Sequence, residues 1–349
     1  MRFGMILRTL GVVSVLLGAL QNPTESSAQT LIAHRGASGE RPEHTLAAYE
    51  RAIDAGADFI EPDLVPTKDG MLVARHENEI SGTTDVADHP EFAGRRKTVT
   101  IDGEALTGWF TEDFTLAELR TLRARERLPQ VRPANTRFDG LWQVPTFAEV
   151  LALVRAKEAE TGRRIGLYPE LKHPSWFSTQ GIDTAALLLQ MLDNAGYRTA
   201  EDPVFIQSFE AAPLERLRPL TKLRLVQLMA SAGGPPDRIG TTFAAMARSD
   251  GLRVLAGHVD AIGVEASMAL GTDGKPTPLI AAAHAAGLKV HVWTLRCENA
   301  FLPLTLRRGE DPTGKGDCAA AWKRLASAGV DGVFSDNPRE VHAARTAQH

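Results

Sequence analysis

Eight short apolar runs recur along the chain, and most are followed by a segment with helical periodicity. The runs are LIAH (31–34), DFIEPDL (58–64), IGLYPEL (165–171), VFIQSF (204–209), LRLVQLM (223–229), DAIGVEA (260–266), KVHVWTL (289–295) and DGVFSD (331–336). Between them lie TLAAYERAIDAG, TAALLLQMLDNAG, AAPLERLRPL, PLIAAAHAAG and CAAAWKRLASAG. Several of these helical segments end in glycine just before the next run, as helix C-termini prefer. Strand and helix in alternation specify parallel β/α architecture. Eight such units in a chain of 349 residues predict a TIM (β/α)8 barrel. An open doubly wound sheet would place a glycine-rich phosphate loop after its first strand, and HRGASGERPEHT lacks the GxGxxG spacing.

One stretch breaks the rhythm. Residues 77–145, after the second β/α region, hold turn formers, charges and one clear helical pattern, TLAELRTLRARE. A connection of this length is rarely structureless, so it is read as a small inserted subdomain on the barrel mouth. The chain opens with a different signature. Arg2 and Arg8 precede or flank the apolar run TLGVVSVLLGAL, and the small residues of SSAQT follow. That is the three-part pattern of a secretory signal peptide, with cleavage after Ala28 and a barrel domain over 29–349. The apolar run is shorter than the roughly 20 residues that span a bilayer, so no stable membrane anchor is expected. An exported, periplasmic or secreted protein follows.

The rest of the composition excludes more than it assigns. The formal charge is −4, with no basic stripe, which gives no reason to expect a nucleic-acid partner. The two cysteines, Cys297 and Cys318, flank a segment rich in proline, glycine and charge. In an exported protein they can pair as a loop staple, the alternative being two free thiols.

Chemistry-bearing residues gather at strand ends. Residues i and i+2 of a strand share a face. Glu61 and Asp63 therefore project together, as do Glu170 and Lys172, and His291 and Trp293. In a β/α barrel the catalytic face is the C-terminal end of the strands, where His34, Glu61, Asp63, Glu170 and Lys172 all fall. Carboxylates converging on one mouth repel one another, and a hard divalent cation with oxygen ligands relieves that repulsion. Each residue also has a plainer reading. His34 can be a hydrogen-bonded structural residue, and Lys172 an ion-pair partner of Glu170. Trp293 can fill the core or wall the site. Gln207 and Glu265 can face the mouth or fill a polar barrel layer. His173 is expected to be exposed, and His44 to cap the helix beginning at TLAAYE.

The segment IAHRGASGERPEHTLAAYERAIDAGADFIEPDLVPTKDGMLVARHE resembles the opening of the glycerophosphodiester phosphodiesterase family. The pieces that carry the likeness are HRG, PEHT (where PENT is commoner), E-x-D, TKDG and a histidine after the next short strand. YPELK, IQSF, VWTL and GVFSDNP extend it to about residue 340. TTDVAD and the long excursion are most similar to the secreted or periplasmic members. The resemblance implies a TIM barrel with a small insertion. It also implies metal ligands at Glu61, Asp63 and Glu170, an acid–base pair at His34 and His76, and phosphate contacts at Arg35 and Lys172. Glu43 falls near the metal site in that pattern. The implied cation is calcium, with magnesium as the alternative. The implied reaction is hydrolysis of a small-molecule glycerophosphodiester to glycerol 3-phosphate and an alcohol. A phospholipase-D-like enzyme acting on lysolipids or sphingolipids is the neighbouring alternative. A catalytically inactive barrel that only binds is the alternative of another class. The sequence leaves oligomeric state, preferred headgroup and the order of phosphoryl transfer open.

Overall fold

The computed structural model describes Met1 and residues 29–347, so the predicted leader at 1–28 lies outside the described residues except for Met1. The barrel begins at β1 (Thr30–His34). Its second strand is split into β2 (Phe59–Glu61) and β3 (Asp63–Pro66), and a short antiparallel strand, β4 (Leu72–Ala74), folds back on β3. A hairpin, β5 (Lys97–Ile101) and β6 (Glu104–Gly108), stands apart from the barrel. The third barrel strand is split into β7 (Gly166–Leu167) and β8 (Glu170–Leu171). Then follow β9 (Phe205–Ser208), β10 (Arg224–Met229), β11 (Ala261–Glu265), β12 (Lys289–Leu295) and β13 (Gly332–Ser335).

The eight predicted runs are the eight barrel strands. The sheet runs β3-β8-β9-β10-β11-β12-β13-β1-β2-β7 in parallel. Its two ends are the two halves of the same broken pair, so the ring closes. The breaks fall at prolines in both strands. Pro62 and Pro169 bring no N–H to the ladder. Pairing therefore stops after Ile60↔Leu167 and resumes at Asp63↔Glu170, with the Glu170 N–H donating to the Pro62 carbonyl at 2.9 Å.

Helices cover the outside, and the main core lies between them and the barrel: Leu31, Ile60, Leu188, Leu225, Val264, Val290 and Val333 are all buried. Inside the barrel, Ile32, Tyr168, Phe205, Val226, Ala261 and Phe334 pack as a plug beneath the mouth. The Tyr168 and Phe205 rings stack at 4.9 Å, and the Tyr168 hydroxyl meets His291 Nδ1 at 2.6 Å. His291 thus belongs to the plug. Gly166 is small because the Phe59 ring occupies the place of its side chain: an added Cβ would lie 2.2 Å from that ring.

Residues 77–145 fold around an apolar cluster of their own. Ile80, Val86, Phe92, Trp109, Phe114, Leu119 and Leu122 are buried there against Val65 and Val73 of the barrel and Phe177. The predicted helix TLAELRTLRARE shortens to Leu116–Leu119, held by a capping box of Thr115 and Glu118. The hairpin was not anticipated. Cys297 and Cys318 are paired, with Cα atoms 4.9 Å apart. Among the described residues no helix is long and apolar enough to cross a membrane.

Candidate active site

The turn after β1 sets the site. Arg35 adopts a left-handed backbone conformation (φ 59°), which turns its N–H onto Glu61 Oε2 at 2.8 Å. Gly36 follows at φ 83°, and any Cβ there would meet the backbone of Ala48 at 2.6 Å. Only glycine lets the helix Leu46–Asp54 sit this close. The HRG triplet is thus a histidine on the strand end, an arginine aimed back at the second strand, and a glycine that makes room for the first helix.

Glu61, Asp63 and Glu170 converge. One carboxylate oxygen from each lies within 4.8 Å of the others, and all three residues are buried. Burial and the neighbouring carboxylates push the Glu61 carboxyl well above its usual range. Glu170 is raised to about 8 by burial and Asp63, against the pull of Lys172. Burial works against ionised Asp63 as well, but His44, Lys172 and Arg35 hold it well below the usual range. Asp63 Oδ1 is buried with no hydrogen-bond partner. An all-oxygen donor set that includes a buried carboxylate group with an unpartnered oxygen fits a hard divalent cation.

Cations and histidines surround this acidic centre. Arg35 packs its guanidinium against Glu43 at 3.3 Å and against Asp63 at 3.4 Å. Lys172 Nζ lies 3.1 Å from Glu170. Both cations are buried and raised above their ordinary values, because the nearby carboxylates outweigh burial. Lys172 is therefore an ion-pair partner of Glu170 that also lines the mouth. His34 is lowered to about 4 by burial and by Arg35, and His76 is pushed well down by burial, Arg35 and Lys172. A cavity of about 310 Å³ opens over these groups. Its lining includes His34, Arg35, Glu61, His76, Glu170, Lys172 and Gln207, walled on one side by Phe209 and Trp293. Trp293 is half-buried: it packs against the interior plug and also lines the cavity. Gln207 faces the mouth, donating to Glu61 Oε1 at 3.0 Å. Glu265 is engaged elsewhere, accepting from Ser231.

Two expectations are corrected. His44 does not cap the first helix: the neighbouring Thr45 does, its hydroxyl accepting from the Ala48 N–H. His44 is fully buried at φ 56°, bonded to the Tyr49 hydroxyl at 2.7 Å and to Asp63 Oδ2 at 3.0 Å. His173 is not exposed. Its ring bridges Glu77 at 2.6 Å and Asp102 at 2.7 Å, joining the end of the third strand to the hairpin turn.

Sequence reasoning also missed an outer layer. Asp336, at the end of β13, meets His34 Nδ1 at 2.6 Å. Arg127 of the insertion donates to Glu43 Oε2 at 2.8 Å, and Arg132 donates to Asp336 Oδ2 at 2.5 Å. GVFSDNP was visible as a strand end, but nothing local marks the partner of Asp336.

Comparison with known proteins points one way. The profile described as "Glycerophosphoryl diester phosphodiesterase family" matches residues 34–340. A glycerophosphodiester phosphodiesterase of Arabidopsis thaliana is 35% identical over 340 residues, covering 93% of this chain and 88% of that protein. Another from Treponema pallidum is 30% identical, covering 78% and 82%. A crystal structure of a Silicibacter pomeroyi protein superposes with a TM-score of 0.63 at 24% identity, covering 92% of this chain and 94% of that one. An Oleispira antarctica phosphodiesterase, solved with the product sn-glycerol 3-phosphate, gives 0.58 at 20% identity, covering 90% and 96%.

Proposed function

We propose that this chain, which belongs to the glycerophosphoryl diester phosphodiesterase family, hydrolyses glycerophosphodiesters to glycerol 3-phosphate and an alcohol, with His34 and His76 as its acid–base pair. The observation that carries this reading is one cavity lined by both histidines, by the three cations Arg35, Lys172 and Arg296, and by two of the three converging carboxylates, Glu61 and Glu170. Glu61, Asp63 and Glu170 would hold a divalent cation, calcium first and magnesium as the alternative. When bound, such an ion neutralises charge on a phosphoryl oxygen.

The chain's own groups do the rest. Arg35 and Lys172 present positive charge to the anionic diester, one as a planar fork and one as a point charge. They stabilise the charge that builds on its non-bridging oxygens. One histidine, neutral, takes the proton of the attacking hydroxyl, and the other gives a proton to the departing alkoxide. Phe209 and Trp293 give the substrate an apolar wall on which carbon can rest while polar groups orient the phosphate. Glu43 acts through Arg35, holding the guanidinium from behind.

The protein is further proposed to be exported after cleavage at Ala28, with 29–349 as its catalytic domain and 77–145 as an insertion within it. The disulfide supports an oxidising compartment.

The test is release of glycerol 3-phosphate from glycerophosphocholine, with calcium, magnesium or chelator. Cation-dependent release is expected, and His34→Ala or His76→Ala should lower kcat by about 10²–10⁴-fold. A folded, cation-loaded protein that releases product only from a lysolipid would replace this substrate assignment with the phospholipase-D-like one.

A further inference from the structure

Two arginines converge on a buried carboxylate that touches one of the candidate acid–base histidines. We infer that Asp336 is the positioning residue of His34 and that Arg132, supplied by the inserted subdomain, locks Asp336, so that His34 meets substrate with a bare Nε2. The inference rests on the proposed role of His34 and adds to it how the rest of the molecule sets that role.

Asp336 follows β13, next to β1 in the ring, and is 1% exposed. Its two oxygens are divided between partners. Oδ1 faces His34 Nδ1 at 2.6 Å. Oδ2 accepts from Arg132 Nη2 at 2.5 Å and from Arg296 Nε at 2.8 Å. Arg132 itself cannot swing. Its Nε donates to Glu298 at 2.6 Å and its Nη1 to the Ser38 carbonyl at 3.0 Å, with the side chain 3% exposed. A planar guanidinium with three fixed contacts sets both the place and the plane of its partner. Glu298 sits next to Cys297, whose N–H donates to Asn337 Oδ1 at 2.9 Å. The brace therefore joins the insertion, the disulfide-closed loop and the strand end that carries Asp336.

The consequence concerns protons. A carboxylate flanked by two guanidiniums stays an anion and accepts only, so His34 must offer it a proton from Nδ1. In a neutral imidazole the other nitrogen is then an acceptor. Among the described residues Nε2 has no protein partner, and the ring lines the mouth. His34 thus begins as the proton acceptor. As the attacking oxygen forms its bond to phosphorus, its O–H bond breaks and the proton passes to Nε2. The positive charge that results faces Asp336. The bond from phosphorus to the leaving oxygen breaks, and that oxygen takes a proton from the protonated form of His76, which is left neutral. His76 is set more loosely: its Nδ1 lies 3.1 Å from Glu77, which also serves His173 and Lys172.

The test uses the full mature chain and four variants, Asp336→Asn, Arg132→Gln, Arg132→Lys and His34→Gln. Long-range proton–nitrogen spectra of the imidazoles are recorded without metal, the His34 signals being those lost in His34→Gln. The wild type should carry its proton on Nδ1 of His34, and Asp336→Asn should change that. With calcium and glycerophosphocholine, Asp336→Asn should lower kcat by roughly 10³-fold or more, as loss of an orienting aspartate does elsewhere, while KM moves less than about threefold. Arg132→Gln should lower kcat by roughly tenfold, and Arg132→Lys, which keeps the charge but not the three-contact fork, should recover only part of it. A His34 proton on Nε2 in the wild type would overturn the inference, as would an unchanged tautomer in Asp336→Asn. An unchanged kcat in both arginine variants, or a rise in KM alone, would also overturn it. If Asp336→Asn does not fold, the wild-type tautomer and the arginine pair decide. If the wild type releases no glycerol 3-phosphate, the substrate reading fails while the tautomer still judges this inference.

Discussion

Gln207 shows how much of the site depends on residues one step behind the converging carboxylates. Its amide nitrogen donates to Glu61 Oε1, while its own oxygen is buried without a partner. The donated bond holds one Glu61 oxygen while the Arg35 N–H holds the other. Gln207→Leu keeps the shape and removes the bond, and partners of this kind typically matter 10–100-fold to metal affinity. A calcium titration followed by calorimetry should show a loss of about that size, with little change in melting temperature. The converging carboxylates were legible because strand geometry is local: two residues apart means one face, whatever the rest of the chain does. His44 and Asp336 were not legible. A hydroxyl next door took the capping role expected of His44, and its ring then reached Asp63, 19 residues away. Asp336 meets His34 only because the last strand closes the ring beside the first.

At the scale of elements, the barrel strands were readable and the insertion was not. Strand ends repeat a pattern set by burial on both faces, whereas the hairpin β5–β6 is mostly exposed and carries little apolar signal. Two polar contacts help dock that hairpin: His173 bonds Asp102 in its turn, and Lys97 pairs with Asp113. Burial alone would lower the pKa of His173, but Asp102 and Glu77 outweigh it and raise it to about 9. The folded value is above the usual 6.5, so the protonated ring stabilises docking fully below about pH 6.5 and is lost as pH rises through about 9. Both partners together contribute on the order of 3 kcal/mol, and the share that reaches the hairpin is the part due to Asp102. Amide exchange across residues 97–108 should therefore be slow at pH 6 and faster at pH 9.5 after correction for intrinsic rates. In His173→Gln the corrected difference should shrink severalfold. Equal protection at both pH values in the wild type would mean that the hairpin is held without the His173 contact.

At the scale of the whole molecule, three segments far apart in sequence converge on the strand ends: the insertion, the loop between Cys297 and Cys318, and the end of β13. The disulfide closes the loop that carries Glu298, which in turn fixes Arg132. A closed loop of this length stabilises by about 3 kcal/mol in the chain-entropy picture. For a domain this large that corresponds to a melting temperature lower by roughly 5 °C in a Cys297→Ser/Cys318→Ser variant. The same change should act on catalysis, because an untethered Glu298 leaves Arg132 with fewer fixed contacts. Scanning calorimetry and kcat measured at 25 °C on one preparation separate the two effects. If the bond serves stability alone, melting falls and kcat holds. If it also supports the brace behind His34, kcat falls in the variant while the protein is still fully folded. Arg132→Gln should then add less to the disulfide variant than to the wild type, since both changes release the same carboxylate.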